Sequence, residues 1–464
     1  MSPTPHKKRF SVIRDPVHGD LYLTHEELRL LDTREMQRLR GVRQLGTAYL
    51  VYPGALHTRF DHSLGTLHCA ARMIEALNLS YELNPVGCLR VPEEEARVIR
   101  LAALLHDVTH IPFGHNIEDQ GGMFRRHDSA QRFAHALGPG TEAGDLLAEL
   151  GLRREVLAVL AEGQGSENDP PVSVPPYWHQ IISETISADN LDYLARDAYF
   201  TGLKLAVDDR VTSYFRIERE SGNLFIDLAK HDLLREDILS EIVRLLEARD
   251  YFSERVYYHH AKVAAGALVA RAVELALGAG AISEEDLYSE TDASILDTLV
   301  DRVQGAPETV RRRVNKLVDD FRGRRLYKRA CVFPRYENES VQSQLVGRFF
   351  SHEGAAARAA AEERIADLVR FSSGQAVDVI VYCPAQRMQL KEARIQVRWP
   401  GVPEVAPLST FADRVPRLAD LERSYRDLWK FYVFADTAEP ELLARVRDAA
   451  REEFSEATNA YDIS

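Results

Sequence analysis

The sequence has little cysteine, no long apolar run and no excess of positive charge. Its four cysteines, at positions 69, 88, 331 and 383, are scattered without CxxC spacing, which suits reduced thiols better than a disulfide framework or a zinc knuckle. No stretch approaches the roughly 20 apolar residues that span a bilayer. The opening residues, MSPTPHKKRF, hold no apolar signal core. We therefore expect a cytoplasmic protein without a membrane partner.

The charge balance narrows the class of ligand. A net charge of −13 argues against binding along a nucleic-acid backbone, so any anionic ligand must be held by local clusters of Arg and Lys. With 464 residues, of which 45% are hydrophobic, the chain can bury a large core. Two or three packed lobes are expected.

Histidine and aspartate concentrate in residues 101–128, LAALLHDVTHIPFGHNIEDQGGMFRRHD. Apolar residues at helical spacing predict a buried helix whose apolar run closes at His106 and Asp107, which brings an imidazole and a carboxylate side by side. His110 follows one turn later and is expected to face the same pocket. Imidazole suits Mn, Fe, Ni, Cu or Zn, and added carboxylates favour octahedral Mn, Fe or Mg over a closed structural zinc. The stretch predicts a metal-dependent active site. The alternative is a helix cap followed by a polar loop with incidental histidines.

Neighbouring segments complete this site. Pro112 and Gly114 are expected to stop the helix, so that a loop can fold His115 and His127 back over whatever the metal holds. Upstream, His62 lies at the start of an amphipathic helix in YPGALHTRFDHSLGTLHCAARMIEAL and offers the missing imidazole of a two-helix metal site.

A second helix downstream carries acidic and aromatic groups. Residues 163–176, GQGSENDPPVSVPP, predict a mobile linker or lid by composition, and HQIISETISADNLDYLARDAYFTG follows. Asp189, Tyr193 and Arg196 share one face of the predicted helix and are expected to reach the same cavity. The alternative is a helix stabilised by i,i+4 salt bridges.

Strands are predicted near both ends of the chain. FSVIRDPVHGDLYL, residues 10–23, predicts a short strand, a Pro/Gly turn and a second strand. The C-terminal part alternates the strands VDVIVYCPA and ARIQVRWP with helices, which predicts a small α+β lobe for assembly and regulation.

The ordered blocks RDPVHG, DTREMQRLRGVRQLG, HTRFDHSLG, LLHDVTHIPFGH and ADNLDYLARD resemble the HD-domain deoxynucleoside triphosphate triphosphohydrolases. The vertebrate enzyme of that family joins a sterile alpha motif to the HD domain, whereas bacterial members lack the motif, and we expect this chain to lack it too. The resemblance implies a mostly α fold with an HD-domain helical metallohydrolase core, a small N-terminal hairpin and a C-terminal α+β lobe. It places the HD phosphohydrolase domain in residues 1–275 and the assembly and regulatory lobe in residues 276–464.

The resemblance also implies an activity and a set of site residues. The activity is hydrolysis of dNTP at the α-phosphate to deoxynucleoside and tripolyphosphate, with one divalent ion (Mn, Fe, Mg, Ni or Zn) at the HD site and Mg accompanying the nucleotide. The implied metal ligands are His62, His106, Asp107 and Asp189. The implied catalytic residues are His110, His115, His127 and Asp128, of which His115 acts on the nucleoside 5′ oxygen and His127 shuttles a proton. The implied substrate-binding residues are Arg59 and Arg249 for phosphate, and Gln44, Leu45, Tyr193 and Asp197 for the sugar.

Regulation is implied by a second set of residues. Asp32, Gln37, Arg40, Arg324 and Lys328 match a family site for an effector nucleotide, a dNTP or GTP, shared between subunits. Because such a site is shared between subunits, the resemblance implies a homo-oligomer, and a tetramer is favoured.

One departure from the family keeps alternatives open. Asn190 stands where the family has a phosphate-binding lysine, so one positive charge is missing from the triphosphate site. The first alternative is an HD phosphohydrolase that acts on other nucleotides, NTP or nucleoside monophosphate. The second is a catalytically quiet nucleotide sensor or nucleic-acid-binding scaffold, against which the complete ligand set and the acidic charge argue.

Overall fold

The computed structural model describes residues 10–119, 122–162, 172–184, 186–205, 209–385, 395–402 and 404–461. Its helices are α1 His25–Leu31, α2 Arg34–Arg38, α3 Arg59–Leu83, α4 Glu93–Leu105, α5 His115–Glu118, α6 Ala130–Ala136, α7 Glu142–Glu149, α8 Arg153–Leu160, α9 Pro176–Ile182, α10 Ala188–Thr201, α11 Glu236–Phe252, α12 His260–Gly278, α13 Glu284–Leu287, α14 Ser294–Arg302, α15 Glu308–Arg322, α16 Arg335–Asn338, α17 Gln342–Leu345, α18 Ala355–Ser373, α19 Pro416–Asp427 and α20 Pro440–Glu453.

The strands are β1 Ser11–Asp15, β2 Gly19–Leu23, β3 Cys88–Leu89, β4 Phe215–Glu218, β5 Leu224–Asp227, β6 Ala229–Lys230, β7 Leu233–Leu234, β8 Lys328–Pro334, β9 Val379–Tyr382, β10 Gln396–Arg398, β11 Val405–Pro407 and β12 Lys430–Ala435. The mostly helical fold is confirmed. Of the predicted linker or lid, residues 163–171 lie outside the described residues, and α9 begins at its last residue.

The predicted N-terminal hairpin is present. β1 and β2 pair antiparallel, with Ser11 opposite Leu23. Thr24 then caps α1 reciprocally with Glu27: the Thr24 side chain accepts from the Glu27 backbone N–H, and the Glu27 side chain accepts from the Thr24 backbone N–H. This cap turns the chain from the hairpin into the helical core.

Three helices build the core and meet at their ends. α3 packs between α4 and α10. Thr58 and Asp61 form the capping box of α3, three glutamates occupy the first turn of α4 where the helix dipole favours negative charge, and Ser187 caps α10. The N-termini of α3 and α10 and the C-terminus of α4 therefore lie together, and each carries residues predicted to bind metal.

A five-stranded sheet in the order β11-β10-β5-β4-β3 lies beside these helices. β10 pairs in parallel with β5, so that Val397 lies opposite Ile226 and is fully buried in the same apolar core as α3 and α4. The sequence placed ARIQVRWP in the C-terminal lobe, and this placement differs from the structure. The reason is physical: the alternation of residues predicts a strand, but the burial of Val397 and Trp399 against a distant core decides which sheet it joins.

The C-terminal region forms the predicted α+β unit. The antiparallel sheet β8-β12-β9 is covered by α18 and α20. Phe333 and Phe431 stack on each other there, and Phe454 meets both rings edge-on. The opposite face of the sheet presents Tyr432 and Phe434 to a core shared with α12. The boundary at residue 275 stays a prediction. None of the described helices combines the length and apolar character needed to cross a membrane.

Candidate metal centre and active site

The four predicted metal ligands converge. His62 Nε2 and His106 Nε2 lie 3.2 Å apart. Asp189 Oδ1 lies 3.0 Å from His62 Nε2 and 4.0 Å from His106 Nε2. Asp107 closes the group, with Oδ1 3.6 Å from His106 Nε2 and Oδ2 3.8 Å from His62 Nε2. Two imidazole nitrogens and two carboxylates thus surround one point where α3, α4 and α10 meet.

The outer nitrogens of both rings show that this group fits a cation. His62 Nδ1 donates to Asp192 Oδ2 at 2.7 Å, and His106 Nδ1 donates to the Ala103 carbonyl at 2.8 Å. With a hydrogen on each Nδ1, two neutral rings would point their Nε2 lone pairs at each other, an arrangement that a shared metal ion relieves. Burial lowers the pKa of His62, but hydrogen bonds with Asp189 and Asp192 outweigh burial and raise the pKa to about 10. The pocket therefore stabilises positive charge at this point.

Arg59 connects the metal ligands to the space where an anion would bind. Its Nη1 donates to Asp107 Oδ2 at 2.7 Å. Burial alone would raise the pKa of Asp107, but Arg59, His106 and His110 together hold it well below its usual range. The buried Nε of Arg59 has no hydrogen-bond partner among the described residues. A Cβ at Gly114 would come within 2.8 Å of Arg59 Nη2, so the absent side chain leaves room for the guanidinium.

A cluster of three histidines adjoins the ligands. The ring centroids of His110 and His127 are 4.0 Å apart and the rings are stacked, and His115 meets them edge-on at 5.4 and 5.1 Å. α4 does not extend to His110 as the spacing predicted, because the helix ends at Leu105 and a turn follows. His110 still faces the pocket, with Nε2 3.1 Å from Asp107 Oδ1.

Glu118 supplies the buried carboxylate of this cluster. His127 Nδ1 lies 2.9 Å from Glu118 Oε1, and His110 Nδ1 lies 3.8 Å from Glu118 Oε2. Burial raises the pKa of Glu118, but His127 and His110 outweigh it and hold the pKa well below its usual range. Glu118 is absent from the residues predicted from the sequence, although its position three residues after His115 on a helix is a signal that could have found it.

Asp128, predicted as catalytic, is not brought into the cluster. Its side chain is 50% exposed and forms an ion pair with Arg126 at 2.7 Å. The local pairing of two residues so close in sequence turns the carboxylate to the surface. Glu118 therefore occupies the place that the resemblance gave to Asp128.

The predicted sugar-binding residues line a neighbouring wall. Gln44 Oε1 is buried and has no hydrogen-bond partner within the described part of the chain. Leu45 belongs to a small apolar cluster with Ala198 and Phe252. The Tyr193 hydroxyl accepts from Asn190 Nδ2 at 3.2 Å, and burial raises its pKa to about 12. This wall offers an apolar surface beside one unsatisfied polar oxygen.

Asp197 lies behind this wall. It accepts hydrogen bonds from His57 Nε2 at 2.8 Å and from the Tyr257 hydroxyl at 2.7 Å. Asp197 thus orients Tyr257, which was not predicted. Burial lowers the pKa of Arg249, but the neighbouring Tyr193 contributes most to a net rise, to which Asp189 also adds. Arg249 therefore lies in the neighbourhood of Tyr193 and the predicted ligand Asp189.

Arg196 does not reach this cavity as predicted. Its guanidinium is fully buried and donates to Asp192 through Nε and Nη2 and to Asp15 through Nη1, all at 2.9 Å. The i,i+4 salt bridge, which the sequence left as the alternative, is the arrangement observed. Two acidic partners, Asp192 on the same helix and Asp15 at the hairpin turn, explain the direction of the side chain.

The predicted effector residues fall into two groups on the surface. Arg40 Nε donates to Gln37 Oε1 at 2.8 Å, and the guanidinium lies 3.5 Å above the Phe60 ring. Asp32 is the C-cap of α1. In the other group, Arg324 donates to the Leu50 carbonyl at 3.0 Å, and exposed Lys328 begins β8.

Two family models match this chain. The HD domain matches residues 59–197, which include all four predicted ligands, and the HD associated region matches residues 232–460. An uncharacterized protein of Methanocaldococcus jannaschii is 28% identical over 337 residues, which are 71% of this chain and 62% of that protein.

Named enzymes are also similar. The deoxynucleoside triphosphate triphosphohydrolase SAMHD1 of Danio rerio is 30% identical over 276 residues, 53% of this chain and 42% of the relative. Its Dictyostelium discoideum homolog is 25% identical over 334 residues, 69% of this chain and 60% of the relative. Each match covers less than two thirds of the relative's length. The chain carries both the HD domain and the HD associated region, and over these regions it is similar to the HD-domain deoxynucleoside triphosphate triphosphohydrolases.

Proposed function

We propose that the protein hydrolyses dNTP at the α-phosphate and releases deoxynucleoside and tripolyphosphate. The observation that carries this proposal is the convergence of His62, His106, Asp107 and Asp189 beside three histidines and an arginine with an unpaired Nε. Relatives named as dNTP triphosphohydrolases support the choice of substrate.

The ligand set determines what a bound ion would contribute. His62, His106, Asp107 and Asp189 would hold one divalent ion, which supplies polarisation of a phosphoryl oxygen and a water of lowered pKa. Around this point the protein provides positive charge for the triphosphate, from Arg59 and from Arg249. Both guanidinium groups are largely shielded from water, which strengthens their attraction for phosphate.

The histidine cluster provides proton transfer. A water oxygen forms a bond to the α-phosphorus while the bond from the α-phosphorus to the 5′ oxygen breaks, and His115, whose pKa is raised by Asp119, is the proton donor to the 5′ oxygen. His127, oriented by Glu118, takes up the proton that this water releases and returns it to the leaving side. Each group thus has one role set by its partner.

The neighbouring wall selects the sugar. Gln44 Oε1 accepts a hydrogen bond from the 3′ hydroxyl, which satisfies an otherwise unpaired buried oxygen. Leu45 occupies the space that a 2′ hydroxyl needs, so ribose is rejected by sterics and by the loss of hydration.

The experiment is a product analysis. Chelator-treated protein reloaded with Mn or Mg is incubated with each dNTP, singly and mixed, and the products are resolved by ion-exchange chromatography. Tripolyphosphate with deoxynucleoside supports the proposal, whereas orthophosphate or no turnover contradicts it. His106→Ala should remove both bound metal and activity, while His352→Ala, at an exposed histidine, serves as the matched control.

One observation favours a second candidate, hydrolysis of nucleotides other than dNTP. Asn190 accepts from Ser187 Oγ at 2.9 Å and donates to Tyr193, so its side-chain oxygen and nitrogen each have a partner within the protein, and a neutral amide contributes no charge to phosphate. Offering NTP and nucleoside monophosphates in the same assay separates the candidates. Faster turnover of either class than of dNTP selects the second.

We also propose that a dNTP or GTP activates the protein by joining copies of it. The effector would bind Asp32, Gln37 and Arg40 of one copy and the basic pair Arg324 and Lys328 of another, and a tetramer is favoured. Arg40→Ala should weaken nucleotide-stimulated assembly in sedimentation velocity and leave metal content unchanged.

The matched control for assembly is Arg34→Ala, which removes an exposed arginine of α2, the helix that precedes Arg40, and this arginine pairs with Glu142. Assembly that is indifferent to nucleotide, or equally sensitive to both substitutions, contradicts the effector site.

A further inference from the structure

The Asp192 carboxylate uses its whole capacity to accept hydrogen bonds. Its Oδ1 accepts from His18 Nε2 at 2.6 Å and from Arg196 Nη2 at 2.9 Å. Its Oδ2 accepts from His62 Nδ1 at 2.7 Å and from Arg196 Nε at 2.9 Å. An ionised carboxylate offers about four acceptor positions, and all are used here in a side chain without solvent exposure. The orientation of Asp192 is therefore fixed from every side.

One of these donors comes from the N-terminal hairpin, in the block RDPVHG. Asp15 shapes the turn, because its Oδ1 accepts the backbone N–H groups of Val17 and His18 at 2.9 and 2.8 Å. Its Oδ2 accepts from Arg196 Nη1. The turn thus contacts both members of the Asp192–Arg196 pair, and His18 lies on one side of Asp192 while His62 lies on the other.

α3 packs closely against α10 at Gly65, beside the Asp192–Arg196 pair. A Cβ at Gly65 would lie 1.7 Å from Asp192 Oδ1 and 2.5 Å from Arg196 Nη2. Only a glycine at this position of α3 leaves room for the pair. The hairpin turn and the packing of α3 on α10 therefore fix Asp192 in one position. There it accepts a hydrogen bond from His62 Nδ1, the ring nitrogen that faces away from the other metal ligands.

We propose that the hairpin turn, through His18 and Asp192, positions His62 for metal binding. The inference rests on the proposed metal centre and deepens it. Asp192 keeps a hydrogen on His62 Nδ1, so the Nε2 lone pair is the one that points at the ion, and the carboxylate charge makes that nitrogen a better ligand. His18 keeps Asp192 in place. Both are positioning residues that would not themselves touch the ion.

The variants follow from these contacts. Asp192→Asn keeps the shape but loses the charge and should weaken Mn²⁺ binding by about 10- to 100-fold. His18→Ala leaves the Asp192–Arg196 pair intact and should weaken binding in the same direction by a smaller factor. His18→Gln retains an N–H donor and should recover part of the loss. His68→Ala is the matched control, because His68 stacks on the His18 ring, with centroids 5.1 Å apart, and is not one of the four donors to Asp192.

The experiment titrates Mn²⁺ into the chelator-treated full chain and measures free Mn²⁺ by electron paramagnetic resonance. Thermal unfolding of each metal-free protein is recorded in parallel. The inference is supported if His18→Ala binds Mn²⁺ more weakly than His68→Ala does, if the two metal-free variants melt at similar temperatures, and if His18→Gln recovers part of the affinity. If Asp192→Asn fails to fold, the His18 variants decide alone.

Three results would overturn the positioning role, and they differ in whether the proposed metal centre is also lost. Wild-type binding that is unchanged in the His18 and Asp192 variants removes the positioning role and leaves the metal centre standing. Equal weakening by His18→Ala and His68→Ala assigns the effect to loosened packing. A wild-type chain that binds no Mn²⁺ removes the metal centre, and the positioning role with it.

Discussion

At the scale of single residues, the contact between His115 and Asp119 sets a pH dependence. His115 lies at the open side of the histidine cluster, with its side chain 52% exposed and its Nδ1 3.5 Å from Asp119 Oδ2. Partial desolvation of the ring beside His110 and His127 lowers the pKa of His115, but the Asp119 carboxylate outweighs this effect, and the pKa is raised above its ordinary value. As a proton donor, His115 is active while protonated, so its contribution is lost as pH rises through the raised pKa.

Asp119→Asn should therefore move the alkaline limb of kcat/KM to lower pH. The substitution removes the negative charge that raises the pKa of His115, so the imidazole loses its proton earlier. The measurement is a pH profile of dNTP hydrolysis. Asp128→Asn, at a carboxylate paired with Arg126 on the surface, is the control and should leave the limb in place. A limb that stays or moves upward in Asp119→Asn excludes His115 as the donor.

The predicted metal ligands were accessible from the sequence, whereas their supports were not. A His–Asp pair at the end of an apolar helix has a local signature, so His106 and Asp107 stand out before any fold is known. Asp192 and Glu118 are hydrogen-bonded to imidazoles. Glu118 has only the helical spacing from His115 as a signal in the sequence, and Asp192 has no spacing relative to His62. Asp192 meets His62 only because α10 crosses α3, a relation that the sequence does not contain.

At the scale of elements, the crossing of α3 and α10 depends on Gly65. A methyl group at this position would overlap Asp192 Oδ1. Asp192 and Arg196 cannot move aside, because both side chains are buried and hydrogen-bonded to each other. Gly65→Ala should lower the free energy of unfolding by about 3 kcal/mol, measured by urea denaturation. The control is Gly278→Ala at the end of α12, where an added Cβ meets nothing within 4 Å. That change should be neutral or stabilising by about 0.5 kcal/mol. Equal effects would mean that the crossing has room to spare.

Elements defined by local chemistry were predictable, and those defined by a distant partner were not. The Pro/Gly turn of the hairpin and the Thr24 cap follow from neighbouring residues, and both are present. β10 was predicted as a strand, but its parallel partner β5 lies far back in the chain. Side-chain alternation predicts a half-buried strand but does not predict which sheet, or which edge of a sheet, the strand joins.

At the scale of the whole molecule, the HD core and the C-terminal sheet share their interior. α12 packs on the sheet through Tyr432 and Phe434, and the Tyr382 hydroxyl donates to the Asn116 carbonyl on α5, beside the histidine cluster. Arg271 of α12 forms a buried bidentate ion pair with Glu362 of α18, at 2.6 and 2.7 Å. We expect the two regions to unfold together, because separating them would expose these apolar contacts and the buried ion pair to water.

The Glu362 carboxylate tests this expectation. Besides Arg271 it accepts the Val381 backbone N–H at 2.7 Å, so it connects α12, α18 and β9 at one buried point. Glu362→Gln removes the anion and leaves the Arg271 charge with a weaker set of partners, which should cost about 3 kcal/mol. Glu363→Gln, at the exposed neighbour, should change stability by less than about 0.5 kcal/mol. In differential scanning calorimetry the joined interior predicts one transition that moves to lower temperature in Glu362→Gln. Two transitions, of which only one moves, would show that the C-terminal region unfolds on its own and that any signal from an effector must cross a hinge rather than a shared core.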